Sequence, residues 1–214
     1  MARWRGLVDA VAEANERLLA DGLGERRAEM VRFLLERQIV VGRDAGLFEP
    51  TPADDADRRL PTGERLRTKL ATRHILSHEA TRILHVAGGE ESAAAVGRAR
   101  RRIAASCYAA QHCMIGECAA SYVGYIRLLN ALDPTGPDLA LRVRALHGRR
   151  DGRGRWTGLP FYYTLCVLSE LRLATAAEEV RYALGATRVE RPEGDSPQAR
   201  VRRAVVQRAA LGRI

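Results

Sequence analysis

Three cysteines and one histidine, residue types that bind soft metal ions, lie close together in the middle of the chain. Cys107, His112, Cys113 and Cys118 fall within twelve residues, and thiolate and imidazole groups are the usual ligands of zinc. On one continuous helix, at ~100° and ~1.5 Å per residue, Cys113 and Cys118 would point about 140° apart, and Cys107 would lie ~16 Å from Cys118. The spacing also lacks the paired C-x-x-C of common zinc sites. A metal site therefore requires a broken helix near Gly116 or ligands from another segment; buried core thiols are the alternative.

Two histidines on a neighbouring segment are candidates for those extra ligands. His74 and His78 are four residues apart, a spacing that lets two imidazoles on one helix face share a metal ion. His85 lies ~10 Å further along the helix axis and is too distant to join them. Histidines at the edge of a buried face, bonded to neighbouring helices, would show the same pattern. The candidate metal ligands are His74, His78, Cys107, His112, Cys113 and Cys118, and zinc is one candidate ion for them.

The segments that must position these residues are helical in pattern. Apolar residues recur at helical spacing in the segments 4–18, 25–41, 64–86, 90–106, 107–132, 139–147, 161–173 and 175–184, and in a last segment from Ser196 onward. Residues 43–62 hold three prolines and four aspartates, which predicts a long loop without regular structure. Thr175 is predicted to begin its helix with a capping box, and Ser196 to cap the last one. No stretch alternates as a strand would, so we predict an all-α fold of antiparallel helical hairpins or an irregular helical bundle.

Two stretches share a plan in which a helix ends at a polar turn and a glycine and an aromatic residue precede the next helix. The stretch Asp151-Gly152-Arg153-Gly154-Arg155-Trp156, followed by Tyr163-Thr164-Leu165 and Leu168, resembles the repeat of the squalene-cyclase and prenyltransferase superfamily, the α/α-toroid proteins. Gln38, with Gly46 and Phe48, resembles a degenerate second copy. The resemblance implies hairpins that bury their apolar faces by stacking on neighbours. It also implies a partial α/α toroid, or one closed by a second copy of the chain, because 214 residues hold fewer hairpins than a full toroid needs.

The same resemblance implies a central pocket for a small hydrophobic or isoprenoid-like ligand. Its predicted lining is Trp156, Tyr162, Tyr163, Tyr122 and Glu117, with ordinary core packing of these residues as the alternative. Terpene cyclases of the superfamily use an Asp-x-Asp-Asp acid. The nearest match here is Asp54-Asp55-Ala56-Asp57, in a different order and in the proline-rich loop. The other interpretation of this acidic cluster is a solvated loop that caps Arg58, Arg59 or a following helix.

The formal charge of +9 invites a nucleic-acid interpretation, because arginine neutralises phosphate. Lys69 is the sole lysine, however, and the arginines are scattered along every segment, whereas nucleic-acid binding is marked by clustering on one face. Nucleic acid is therefore not favoured as the main partner. The runs at 98–102 and 200–208 are interpreted as solvated faces, or as a surface that docks an acidic partner.

The beginning of the chain does not have the pattern of a signal peptide. Asp9, Glu13 and Glu16 interrupt the apolar stretch that such a peptide would need, and nowhere do ~18 apolar residues follow one another as in a membrane span. We therefore predict a cytoplasmic protein without a membrane span. Its four cysteines are then thiols or metal ligands rather than a disulfide framework.

Residues 1–186 are predicted to form one helical-hairpin domain, followed by a linker and a short basic helix in 187–214. Three functions are consistent with the sequence: a protein that binds or processes an apolar ligand, a non-enzymatic scaffold or regulator whose Arg-rich faces dock an acidic partner or nucleic acid, and a Cys/His metal-binding protein. The sequence does not decide whether the chain is an enzyme.

Overall fold

A computed structural model describes residues 4–188 and 194–211, and the regular structure within these two ranges is helical. The predicted all-α class is confirmed. None of the helices in these ranges is both long enough and apolar enough to cross a membrane. The α-helices, in chain order, are α1 Leu7–Ala20, α2 Arg27–Leu35, α3 Pro52–Ala56, α4 Lys69–Ala87, α5 Glu90–Ala104, α6 Cys107–Ala110, α7 Cys118–Leu132, α8 Pro137–His147, α9 Phe161–Glu170, α10 Ala174–Ala183 and α11 Pro197–Ala210.

Helix α4 is the central element. It packs against α7 and α5 most extensively and also contacts α1 and α2. Its middle turns are buried on every side, so that the polar residues Ser77, His78, Glu79, Thr81 and Arg82 lie in the core beside the apolar ones. Buried polar groups are costly without partners. The neighbouring helices must therefore supply hydrogen bonds to α4.

Glu79 is the centre of the resulting buried network. One of its carboxylate oxygens accepts from Arg127 Nη1 at 2.8 Å and from the Tyr163 hydroxyl at 2.6 Å, and the other accepts from Arg82 and Asn15. Burial alone would raise the pKa of Glu79, but the two arginines outweigh it and hold that pKa well below its usual range. The network ties α1, α4, α7 and α9 together through one carboxylate.

Two further carboxylates, Asp54 and Glu64, cap helices that are remote from them in the sequence. Asp54 accepts from the backbone N–H groups of Leu7 and Val8 at 2.9 and 2.7 Å, and Glu64 accepts from those of Tyr162 and Tyr163 at 2.9 and 2.8 Å. These groups belong to the first turns of α1 and α9, whose N–H donors have no partner within the helix. Asp54 is therefore a buried cap of the preceding helix α1, whereas the second interpretation of the acidic cluster expected a solvated loop that caps Arg58, Arg59 or a following helix.

Several predicted element boundaries are wrong for local reasons, among them the end of the predicted helix 161–173, which stops at Glu170. The second helix ends at Leu35 instead of residue 41, because Gln38 pairs with Phe48. The predicted helix 64–86 begins only at Lys69, where Thr68 caps it. The helix predicted from Thr175 begins at Ala174 with Leu173 at its N-cap, so the predicted capping box does not form.

The 43–62 loop is not wholly irregular, because it contains the short helix α3. Thr51 and Asp54 cap each other's backbone at its start, which is the reciprocal arrangement of a capping box. Proline at the first helical position is compatible with such a start, since that residue's N–H would lack an intrahelical partner in any case. The high proline content therefore marks a helix start here as well as a loop.

Helix α11 belongs to the same core as the preceding helices. It begins as predicted, with the Ser196 hydroxyl accepting from Ala199 N, and it packs against α1 and α9. Val201 and Val205 are fully buried, and Arg200 forms an ion pair with Glu16 of α1. The predicted division at residue 186 therefore separates elements that pack together. The predicted linker falls partly on residues 189–193, which lie outside the described ranges.

The two stretches that share a sequence plan also share a backbone feature. Each closes with a single antiparallel bridge, between Gln38 and Phe48 in the first and between Arg150 and Trp156 in the second. The Gln38 amide donates to the carbonyls of Gly46 and Ala95 at 3.2 and 2.8 Å. A third bridge of this kind joins Arg59 to Arg65. The aromatic residue of each predicted copy is buried and anchors its turn to the core.

Candidate functional site

The helix break near Gly116 that a metal site would require is present, and it brings three thiols together. Helix α6 ends at Ala110, the chain is non-helical from 111 to 117, and α7 begins at Cys118. Two left-handed residues, His112 and Gly116, turn the chain back on itself within this segment. As a result, the Sγ atoms of Cys107, Cys113 and Cys118 all lie within 4.8 Å of one another. We refer to these three residues as the thiol cluster.

The three thiols differ in environment. Cys107 is exposed, whereas Cys113 and Cys118 are half-buried, and the Sγ atoms of Cys107 and Cys118 are 3.2 Å apart. A hydrogen bond from the Ile115 backbone N–H lowers the pKa of the Cys113 thiol. Burial and the two neighbouring thiols raise the pKa of Cys118 to about 12. Of the two thiols whose pKa is shifted, Cys113 therefore loses its proton more easily than Cys118.

Arginine side chains hold the segment around the cluster in place. Arg142 of α8 donates to the carbonyls of Tyr108, at 2.8 Å, and Ala109, and its guanidinium lies against the rings of Tyr122 and Tyr125. Arg149 donates to the carbonyl of Met114 in the middle of the irregular segment. These bonds satisfy backbone oxygens that a short helix and an irregular turn leave without partners. The position of the cysteines thus depends on residues about 30 positions further along the chain.

A cleft of about 460 Å³ opens beside the thiol cluster, between α4, α5 and the α6–α7 segment. Its walls include Cys107 and Cys118, together with His74 from α4 and Glu117 at the start of α7. Arg102 of α5 also lines it and donates to the carbonyl of Arg43. The segment with the cysteines and the helix with the histidines therefore face one cleft.

Tyr108 connects the two histidines of α4. Its hydroxyl oxygen lies 2.9 Å from Nδ1 of His74 and 3.0 Å from Nε2 of His78. Because a hydroxyl carries one proton, it donates to one imidazole and accepts from the other. Burial, with a further contribution from Arg102, lowers the pKa of His74 to about 4. Burial also lowers the pKa of His78 to about 3, so both rings are neutral at pH 7.

His78 is packed tightly enough to restrict its neighbour. The ring is 1% exposed, and Nδ1 has no hydrogen-bond partner among the described residues. A Cβ atom added to Gly124 of α7 would lie 2.8 Å from that Nδ1. The absence of a side chain at residue 124 is therefore what lets α7 approach α4 at this point.

The predicted metal ligands thus divide into three groups. Cys107, Cys113 and Cys118 converge, whereas His74 and His78 are joined through Tyr108 and are not part of the thiol cluster. The third group is His112 alone: its Nε2 faces Asp138 at 3.6 Å and its ring lies near that of Tyr122. The six predicted ligands therefore do not form one site: the structure has a cluster of three thiols, with the His74–His78 pair nearby.

The predicted pocket residues are mostly in the core. The side chains of Trp156, Tyr162, Tyr163 and Tyr122 are between 0% and 3% exposed, and their polar atoms have protein partners such as Glu179 for the Trp156 indole, at 2.7 Å. Of the five predicted residues, only Glu117 lines a cleft among the described residues. It lines two: the cleft beside the thiol cluster and a second cleft lined by Met114 and Arg149. The occupancy of an apolar pocket by an isoprenoid-like ligand stays a prediction.

Two residues that matter for the site were missed by sequence reasoning. Tyr108 follows Cys107 directly, and a tyrosine in a helical segment with so few polar neighbours needs a partner for its hydroxyl. That signal was available from the sequence. Arg142 gives no such signal, since nothing in its local sequence separates it from the many solvated arginines of the chain.

Comparison with known proteins identifies no relative. No model of a known protein family, no functionally described protein and no solved structure matches the chain. The resemblance to the squalene-cyclase and prenyltransferase superfamily therefore stays a prediction. Functional inference depends on the chemistry of the thiol cluster and its cleft.

Proposed function

We propose that this chain binds a thiophilic divalent metal ion, zinc first among them, through Cys107, Cys113 and Cys118. The observation that carries the proposal is the convergence of three sulfur atoms within 4.8 Å of one another. In a tetrahedral site with Zn–S bonds of about 2.3 Å, the sulfurs are about 3.8 Å apart. Movements of about 1 Å or less per side chain would close the three thiolates on one ion.

A packing role accounts for these thiols less well than metal binding does. Cys166 shows what a packing cysteine looks like here: it is 1% exposed in α9, and burial raises its pKa to about 12. Cys107 is exposed and its two partners are only half-buried, so they contribute little apolar burial. Thiols at the surface are also free to release their protons to water when a cation binds.

Three protein ligands leave a fourth coordination position, as in catalytic rather than structural zinc sites. The cleft beside Cys107 and Cys118 has room for a water molecule or a substrate group at that position. Glu117 lines the same cleft, and a carboxylate there is suited to accept a proton from a metal-bound water. The proposed function is therefore a zinc site that is open to the cleft.

Cobalt(II) and zinc titrations test this proposal. Chelator-treated, fully reduced protein is titrated with Co²⁺ and followed by the near-ultraviolet thiolate-to-cobalt band, and zinc is then added as a competitor. We expect one ion per chain, and Cys107→Ser, Cys113→Ser and Cys118→Ser should each weaken binding by at least about tenfold. Cys166→Ser is the matched control and should bind as the unmodified chain does. Absence of the band, or equal effects of all four substitutions, would contradict the proposal.

A further inference from the structure

Two sulfur atoms of the thiol cluster lie closer together than metal coordination requires. Cys107 Sγ and Cys118 Sγ are 3.2 Å apart, whereas sulfurs that share a tetrahedral zinc ion are about 3.8 Å apart. A disulfide bond is about 2.05 Å long, so an approach of roughly 1 Å would form it. Each cysteine is the first residue of its helix, α6 for Cys107 and α7 for Cys118, where the side chain has fewer helical neighbours.

The pair is also reachable by a dissolved oxidant. Cys107 is exposed and Cys118 is half-buried at the wall of the cleft, and the susceptibility of a thiol to oxidation depends on access as well as on thiolate character. Cys166 is buried and provides an internal reference thiol. The intervening segment is irregular from residue 111 to 117, so bond formation would not have to break a helix.

We propose that Cys107 and Cys118 form a reversible disulfide when the protein meets a peroxide, and that this oxidation controls the metal site. One thiol attacks a peroxide oxygen and becomes a sulfenic acid, releasing water. The second sulfur then attacks the sulfenic sulfur, the S–S bond forms, and the hydroxyl group leaves with the second proton as water. The two thiols lose two electrons and two protons, and one hydrogen peroxide is reduced to two molecules of water.

Oxidation of this pair removes two of the three proposed metal ligands. Cys113 remains as a single thiol, and one thiolate does not retain zinc in place of three. This part of the inference rests on the proposed function, whereas disulfide formation itself does not. Reduction by a dithiol, through attack on one sulfur of the disulfide, restores both thiols. The chain would then release its metal under peroxide and recover it on reduction.

The first experiment uses metal-free protein and one equivalent of hydrogen peroxide per chain. Thiols counted in denaturant should fall from four to two, and peptide mass mapping should find Cys107 linked to Cys118 within one chain. Dithiothreitol should restore all four. Cys113→Ser and Cys166→Ser should still form the link, while Cys107→Ser and Cys118→Ser should not. Linkage through Cys113, links between chains only, or oxidation to sulfinic acid without a disulfide would overturn the inference.

The second experiment uses zinc-loaded protein and a chromogenic zinc chelator, and it separates this inference from the proposed function. Peroxide should release the zinc in step with loss of the two thiols, and dithiothreitol should allow it to rebind. Zinc binding that survives complete Cys107–Cys118 linkage would overturn the control of the metal site. Disulfide formation in a chain that never binds zinc would refute the proposed function and leave the oxidation site standing. Zinc binding in a chain that forms no disulfide would refute the oxidation site and leave the proposed function standing.

Discussion

Glu79 of α4 and Arg127 of α7 form an ion pair at 2.8 Å, with side chains that are 1% and 2% exposed. Arg127 uses its remaining donors on Glu170 of α9, at 2.8 and 2.5 Å. Burial of two carboxylates around one guanidinium is tolerable only because every charged oxygen has a partner. Removal of the guanidinium would leave the half-buried Glu170 without this partner and the buried Glu79 with Arg82 as its remaining ion-pair partner.

We therefore expect Arg127→Met to lower the free energy of unfolding by about 3–5 kcal/mol, the usual result of breaking a buried pair from one side. Arg5→Met removes the exposed pair with Asp9 and should lower the free energy of unfolding far less, because water screens that pair. Urea denaturation followed by circular dichroism measures both. A cost for Arg127→Met as small as that for Arg5→Met would mean that the buried network does not organise the core.

Gly124→Ala should destabilise the protein by about 1–3 kcal/mol, because the new methyl group would overlap the buried His78 ring. The added carbon would lie 2.8 Å from His78 Nδ1 and 3.3 Å from the Tyr163 hydroxyl. Gly97→Ala in α5 is the matched control, since its nearest new contact is at 3.8 Å. Gly97→Ala should raise the free energy of unfolding by up to about 1 kcal/mol, because alanine has a higher helix propensity than glycine. Equal changes in the free energy of unfolding for the two variants would contradict the close approach of α7 to His78.

Stability should fall as the pH is lowered from about 6.5 towards 3. The pKa of His78 is about 3 in the folded chain and 6.5 in its ordinary state. In this window the unfolded chain takes up a proton that the folded chain does not, and the slope is about 1.4 kcal/mol per pH unit for one histidine. His74, whose pKa is about 4, acts in the same direction.

His78→Gln should reduce that slope by about 1.4 kcal/mol per pH unit between pH 6 and 4. His147→Gln, at an exposed position, is the control. Denaturant unfolding at several pH values measures the slope directly, and carboxylate titrations are common to both variants. An unchanged slope in His78→Gln would show that this ring is protonated in the folded chain.

Asp54→Ala should cost about 1–2 kcal/mol or more, because it removes the cap of α1. Its carboxylate accepts from three backbone N–H groups, those of Leu7, Val8 and Thr51. Asp55→Ala, next in sequence, loses only the exposed pair with Lys69 and should cost less than about 1 kcal/mol. Thermal unfolding of the two variants compares them, and a larger loss for Asp55→Ala would contradict the capping role.

His112→Ala should leave zinc affinity within about twofold of the unmodified chain, whereas Cys113→Ser should weaken it at least about tenfold. The reason is that His112 faces Asp138 and lies outside the thiol cluster. Competition with a chromogenic chelator gives both affinities. A loss in His112→Ala as large as in Cys113→Ser would make the histidine a fourth ligand and require the segment to rearrange.

The fold class could be predicted from periodicity, but the thiol cluster could be predicted only as a condition. On a continuous helix Cys113 and Cys118 point about 140° apart, so their side chains can meet only if the helix breaks near Gly116. Whether it breaks depends on Arg142, whose donors reach the carbonyls of Tyr108 and Ala109. Local sequence carries no record of a partner that lies over 30 residues away.

For the histidine pair, the sequence predicts the position of the side chains but not the group that they share. The spacing of His74 and His78 predicts both rings on one side of α4, and in the structure that side faces Tyr108. It could not tell a shared metal ion from a shared hydroxyl, since both suit two imidazoles one turn apart. The composition of helix α11 predicts a basic tail because arginines dominate it, whereas in the structure its buried residues Val201 and Val205 pack it against the core.

Guanidinium groups that bind backbone carbonyls make the chain sensitive to a substitution that preserves its charge. Arg142 reaches two adjacent carbonyls with its fork of donors and presents a flat face to two tyrosine rings. A lysine ammonium is a compact point charge and offers neither the fork nor the face. A recoded chain with lysine at 142 and 149 would keep its formal charge of +9 and would lose the hold on residues 107–118. For this protein, the choice between the two basic amino acids is a matter of shape.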